Sequence, residues 1–109
     1  MSTELPEPVA SFFRAHNTGA TENFSALFTG DAVIFDEEHE YRGDAIKSWI
    51  DGVISRYRPL HADVTSLLPS GSQTIATAQV SGTFPGSPVE LRYQFTIRDG
   101  KIAALSIGP

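Results

Sequence analysis

The segment TIATAQVSGTFPGSPVELRYQFTIRDGKIAALSI, residues 74–107, decides the architecture. Within it, Leu91, Tyr93, Phe95 and Ile97 alternate with Glu90, Arg92, Gln94 and Thr96. That is the period-two pattern of a strand with one buried face, and it places Tyr93 inside and Arg92 outside. Thr74 to Phe84 alternates small and apolar residues over a similar length. Pro85-Gly86 supplies the central pair of a type II turn, and Asp99-Gly100 is a two-residue hairpin signal before a last strand, Lys101 to Ile107. The stretch predicts a meander of long antiparallel strands. Ala76, Ala78 and Gly82 permit bending, so such a sheet can wrap around a helix.

Working outward, Leu60 to Leu68 reads as one more strand, closed by Pro69-Ser70-Gly71-Ser72. Upstream, the period changes. Ile46, Trp49, Ile50, Val53 and Tyr57 recur at helical spacing after Gly43-Asp44, and Pro59 forces an end by about Arg58. Ala32 to Asp36 is a short β-branched and aromatic strand, Glu37 to Glu40 an acidic connection, and Tyr41-Arg42 a second short strand. Val9, Phe12, Phe13 and His16 mark a first helix that Pro6 and Pro8 can open and Gly19 can close. A short second helix is predicted from a Thr21 cap to Gly30, with Phe24, Leu27 and Phe28 on its apolar side. The predicted order is α-α-β-β-α-β-β-β-β. It describes a single α+β domain over 1–109, a cone-shaped curved antiparallel sheet wrapped around N-terminal helices.

Composition narrows the function. The chain has 109 residues, enough for one domain and one core, and its 40% hydrophobic and 19% charged residues are those of an ordinary globular protein. The net charge is -5 and the eight Lys and Arg are scattered, so nucleic acid and anionic membrane are poor partners. With no Cys, thiolate chemistry, disulfides and Cys-based zinc sites are excluded. Met1-Ser2-Thr3-Glu4 does not begin a signal peptide and no apolar run reaches bilayer length, so a cytoplasmic protein is expected.

Three segments carry a family resemblance: Asn17-Thr18-Gly19 with Leu27 to Asp36; Tyr41-Arg42-Gly43 leading into Ala45-Ile46 and Trp49; and the hairpin Phe95 to Ile102. Together they resemble the nuclear transport factor two-like superfamily, which includes SnoaL-like polyketide cyclases and ketosteroid isomerases, over nearly the whole chain. The resemblance implies a cone whose open end admits a small ligand, and a homodimer formed through the outer sheet face. Ile75 and Val89 are apolar residues expected on that face.

Asp36 is the first candidate catalytic residue. Alternation puts it on the side of Ala32 and Ile34, and it aligns with the position that resembles the general-base aspartate of the isomerases. A carboxylate at the edge of an apolar pocket acquires a raised pKa, which suits proton abstraction beside a carbonyl. The resemblance sets Phe12 where the isomerases carry a tyrosine donor, and Tyr93 where they carry a protonated aspartate. One donor is therefore absent, and a phenol that can face a developing oxyanion stands at the other place. His16, on the apolar face of the first helix, is an accessory acid/base group or ligand anchor, or else a satisfied core histidine. Phe12, Phe24, Phe28, Phe35, Trp49 and Tyr57 are expected on inward faces, as core near the apex and as ligand contacts near the mouth. Asp36-Glu37-Glu38-His39-Glu40 has metal-ligand residue types, but an extended chain points them alternately, so no metal and no cofactor is expected. The function expected is a small-molecule pocket protein, a cofactor-independent isomerase, cyclase or hydrolase acting on a small apolar carbonyl compound. The alternative is a non-catalytic ligand-binding or dimerisation module of the same fold.

Overall fold

A computed structural model describes residues 5–109; the N-terminal tetrapeptide considered above lies outside them. Helix α1 (Val9–Thr18) follows Pro8 and ends where Gly19, at φ 79°, turns left-handed and returns its N–H to the Ala15 carbonyl. Strand β1 (Phe28–Asp36) and β2 (His39–Arg42) form a hairpin. Helix α2 (Asp44–Arg56) precedes the meander β3 (His61–Ser70), β4 (Gln73–Ser81), β5 (Val89–Arg98) and β6 (Lys101–Gly108). The element order is the one the sequence predicts, and the six strands form one curved sheet in the order β2-β1-β6-β5-β4-β3.

Three details differ from the sequence reading. The second helix is a four-residue 3-10 turn, Phe24–Leu27, and the backbone extends into β1 from Phe28 onward. Thr21 does not cap it; its hydroxyl is drawn instead to the Asp51 carboxylate on α2, at 2.6 Å. The sheet is mixed, because β6 returns beside β1 in parallel while the other four neighbouring pairs are antiparallel. Finally, β4 stops at Ser81 rather than running to Phe84. A Cβ at position 82 would sit 2.6 Å from the Tyr57 carbonyl oxygen, so only glycine lets the chain pass there. Thr83 then donates to that carbonyl, and a Phe84–Ser87 turn with Gly86 at φ 86° leads into β5. Pro69 is tolerated in β3 because β3 is an edge strand.

Two side-chain populations meet in the interior. From the sheet come Ala32, Ile34, Ala76, Ala78, Tyr93, Phe95, Ile102 and Leu105; from α1 and α2 come Val9, Phe12, Phe13, Ile46, Trp49 and Ile50. The alanines on β4 face Leu91 and Tyr93 on β5, so the sheet is thin on one flank and bulky on the next. The helices fill the space only partly.

Candidate functional site

That partial filling leaves a cavity of about 460 Å³ between the sheet and the helices. Its walls are largely apolar: Val53 from α2, Tyr57 just past its end, Leu60 just before β3, Val80, Phe84, and Val89, Leu91 and Ile107 from β5 and β6. The polar groups that reach it are His16, Asp36, Tyr93 and, at the β1–β2 turn, Glu37 and Glu38. Among the described residues no Lys or Arg side chain lines it, so an anionic ligand would find no counter-charge.

The register explains why two of these groups share the site. Phe35 of β1 lies level with Ser106 of β6, and Ile107 lies level with Tyr93 of β5. One residue further along β1, Asp36 therefore falls in one inward row with Ile107 and Tyr93. Two strand spacings set the Asp36 and Tyr93 backbones about 10 Å apart across the floor. Alternation then gives both side chains the same face.

Asp36 accepts a hydrogen bond from the Trp49 indole Nε1 at 3.0 Å. Its pKa is raised, first by burial and also by the neighbouring Glu37 charge; the Trp49 indole and the Glu37 backbone N–H oppose the rise. Tyr93 is 3% exposed and its phenol is pushed above its ordinary value by burial and by the Asp36 charge, so it stays a hydroxyl. His16, also 3% exposed, has its pKa lowered chiefly by burial and to a lesser extent by His61, against the opposing hydrogen bond to Asn17. It is a neutral imidazole at pH 7. Its ring stands 6.5 Å from that of Tyr93, nearly perpendicular, with no hydrogen bond between them.

Of the aromatic residues expected to contact a ligand, Trp49 and Tyr57 line the cavity. Phe12, Phe24 and Phe28 do not: they pack into one cluster, with Phe12 5.5 Å from Phe24 and Phe24 5.2 Å from Phe28. Their volume fills the apex and leaves none of them at the mouth. Phe35 is on the wrong side of the sheet altogether, 40% exposed, because period two turns it away from Ile34 and Asp36. The same rule corrects Val89, which shares the inward side with Leu91 and Tyr93 rather than the outer face. Phe84 was hidden by the expectation that β4 continued through it; the turn swings its ring to 5.5 Å from Tyr57, edge to face, at the cavity wall. In the acidic segment, His39 Nδ1 is taken by the Glu37 carbonyl at 2.8 Å, and among the described residues no three His, Asp or Glu side chains converge.

A curved sheet closed by helices over a pocket defines the class: an α+β cone of the nuclear transport factor two-like kind. More narrowly, residues 9–105 match the SnoaL-like domain, and the chain belongs to that family. It is similar to a candidate polyketide cyclase from Sinorhizobium meliloti, 38% identical over 95% of both chains, with a TM-score of 0.90. The fold is shared with a ketosteroid isomerase-like protein from Catenulispora acidiphila, solved with trimethylamine (18% identity, 97% of this chain and 87% of that one, TM-score 0.84). It is also shared with AclR of Streptomyces galilaeus, a candidate hydroxylase (16% identity, 92% and 84%, TM-score 0.74). No curated protein matches the sequence. Among the described residues, no helix is long and apolar enough to cross a membrane.

Proposed function

We propose that the cavity is the active site of a cofactor-independent enzyme that moves a proton on a small apolar carbonyl compound, in an isomerisation, cyclisation or hydrolysis. One observation carries this reading: a carboxylate made more basic by burial shares an inward row, over an apolar void, with a phenol that keeps its proton. Asp36 takes the proton from the carbon beside the carbonyl. The electron pair moves onto the carbonyl oxygen, where the Tyr93 hydroxyl meets the developing charge. Protonated Asp36 then returns the proton, to another carbon in an isomerisation or to the oxygen formed when the carbanion closes a ring. In a hydrolysis Asp36 instead takes the proton from an attacking water and passes it to the leaving group. Each step balances without a metal or redox partner. His16 is the accessory polar group, and Trp49 and Tyr57 hold the ligand. The likeness to a candidate polyketide cyclase supports the reaction class.

The pH dependence tests the assignment. Asp36 must be ionised to act, so kcat/KM should climb along an acid limb whose midpoint lies above the ordinary carboxylate value of 3.8. A limb at or below that value would remove Asp36 from the role. Binding of apolar ketones without turnover of any would favour a non-catalytic ligand-binding module, a reading to which the apolar Phe12 in the first-helix donor position lends support.

The same proposal includes a cytoplasmic homodimer. On the outer face, register aligns Phe35, Ser106, Gln94, Ile75 and Leu68 in a row across five strands, with Leu68 61% exposed. Phe35, Ile75 and Leu68 make the two ends of this row apolar around a polar centre at Ser106 and Gln94, a surface that suits a second copy. Equilibrium sedimentation at micromolar concentration should give twice the 11.8 kDa chain mass; the single-chain mass would exclude the dimer.

A further inference from the structure

His16 and its neighbour Asn17 hold information about the ligand that neither Asp36 nor Tyr93 supplies. The Asn17 carboxamide is clamped against one residue of β3. The Ala62 N–H donates to Asn17 Oδ1 at 2.8 Å, and Asn17 Nδ2 donates to the Ala62 carbonyl at 2.9 Å. Turning the amide over would face donor with donor and acceptor with acceptor, so its orientation is set by the backbone of β3. His16 Nδ1 lies 2.9 Å from the same Oδ1. An oxygen already fixed as acceptor can be met there only by an N–H. The proton of the neutral imidazole is therefore on Nδ1, and Nε2 carries the lone pair.

Nε2 has no partner in the protein among the described residues. Yet no enclosed side-chain nitrogen or oxygen among them is left unpaired. Nε2 is thus not sealed in the core; it opens onto the cavity that His16 lines. The same reasoning applies to the Tyr93 hydroxyl, and since the two rings do not bond to each other, each has a free valence for a guest. Beside the Asp36 carboxylate, which the proposed reaction uses as base, and the Glu37 and Glu38 carboxylates at the rim, the cavity presents a neutral donor at Tyr93 and a neutral acceptor at His16.

We infer that the ligand is a neutral hydroxy-carbonyl compound, its hydroxyl donated to His16 Nε2, and that Asn17 is the positioning residue that holds that lone pair toward the cavity. The carbonyl half of this statement rests on the proposed proton-transfer reading; the hydroxyl half rests on the His16–Asn17–Ala62 geometry alone. The absence of a lining cation among the described residues excludes a carboxylate in place of the hydroxyl.

Benzoin and deoxybenzoin provide the test, because they differ only in one hydroxyl beside the carbonyl. The 109-residue chain should bind benzoin about three- to tenfold more tightly by calorimetry, the effect of one net hydrogen bond. His16→Phe should abolish that preference while still binding deoxybenzoin. In Asn17→Ala the preference should shrink, and long-range proton–nitrogen NMR should show His16 shifting from a single Nδ1–H tautomer to a mixture. Desylamine, which replaces the hydroxyl with an amine, separates a hydroxyl requirement from a general N–H or O–H donor: equal binding would overturn the hydroxyl assignment. A wild-type His16 protonated on Nε2 overturns the proposal, as does a benzoin affinity no better than that of deoxybenzoin, including the case where neither binds. Binding and tautomer are read without turnover, so a catalytically silent Asp36 would leave this inference standing.

Discussion

Replacing Asp36 with Asn should lower turnover by about a hundredfold to ten-thousandfold, the usual contribution of a positioned general base, and should raise Tm at neutral pH. The two effects have one origin. Burial lifts the folded-state pKa of Asp36 above its unfolded value of 3.8. The folded chain therefore holds that proton more tightly than the unfolded chain. The associated stability is fully present below 3.8 and is lost as pH rises through the folded-state value. At pH 7 the wild-type protein carries a partly desolvated charge that Asn lacks, while the Asn side-chain oxygen can still accept from Trp49 Nε1. Thermal melts should show a Tm advantage for the variant at pH 7 that shrinks toward pH 3. A variant with wild-type turnover removes Asp36 from catalysis; one less stable than wild type at pH 7 contradicts the electrostatic account.

Phe12→Ala should cost about 3–5 kcal/mol, a large share of the roughly 5–15 kcal/mol that holds a domain of this kind together. Phe12 is fully buried, and its ring centroid lies 5.1 Å from Phe13, 5.2 Å from Phe95, 5.5 Å from Phe24 and 6.0 Å from Tyr93. It is the side chain through which α1 touches the 3-10 turn, α2 and β5 together. Truncation leaves a void bordered by the rings of Phe13, His16, Phe24, Trp49, Tyr93 and Phe95, and flat rings fixed on α1, the 3-10 turn, α2 and β5 cannot collapse far into it. Urea denaturation should show an earlier midpoint with little change in slope. A loss below about 1 kcal/mol would mean the neighbouring rings close the gap.

The strands at residues 60–107 were legible because period two persists through them. Leu91, Tyr93 and Phe95 are inward and Arg92 outward, as alternation requires. The same rule puts Asp36 on the inner face and its neighbour Phe35 on the outer one, against the inward placement expected for that ring. The short second helix failed for lack of length. Four residues give too few turns for propensity to act, and Thr21 finds a better acceptor on α2 than in its own backbone. Other parts of the site leave no local trace. Phe84 reaches the cavity through a close passage between Gly82 and Tyr57, and Asn17 is tied to Ala62, 45 positions away. Contacts of that separation are set by the assembled topology and not by any window of residues.

Parallel insertion of β6 has a consequence for how the protein is assembled. The β1–β2 hairpin and the β3–β5 meander are joined in the sheet only through β6. Asp36 stands on one side of that join and Tyr93 on the other. Before the last strand docks, the ribosome has already delivered two separate pieces of sheet with no ladder between them. The pairing that closes the sheet spans about seventy residues of chain, which makes it a slow, late contact. Asp36 and Tyr93 therefore come face to face only when the last strand docks, and chains that lack it carry no complete pocket.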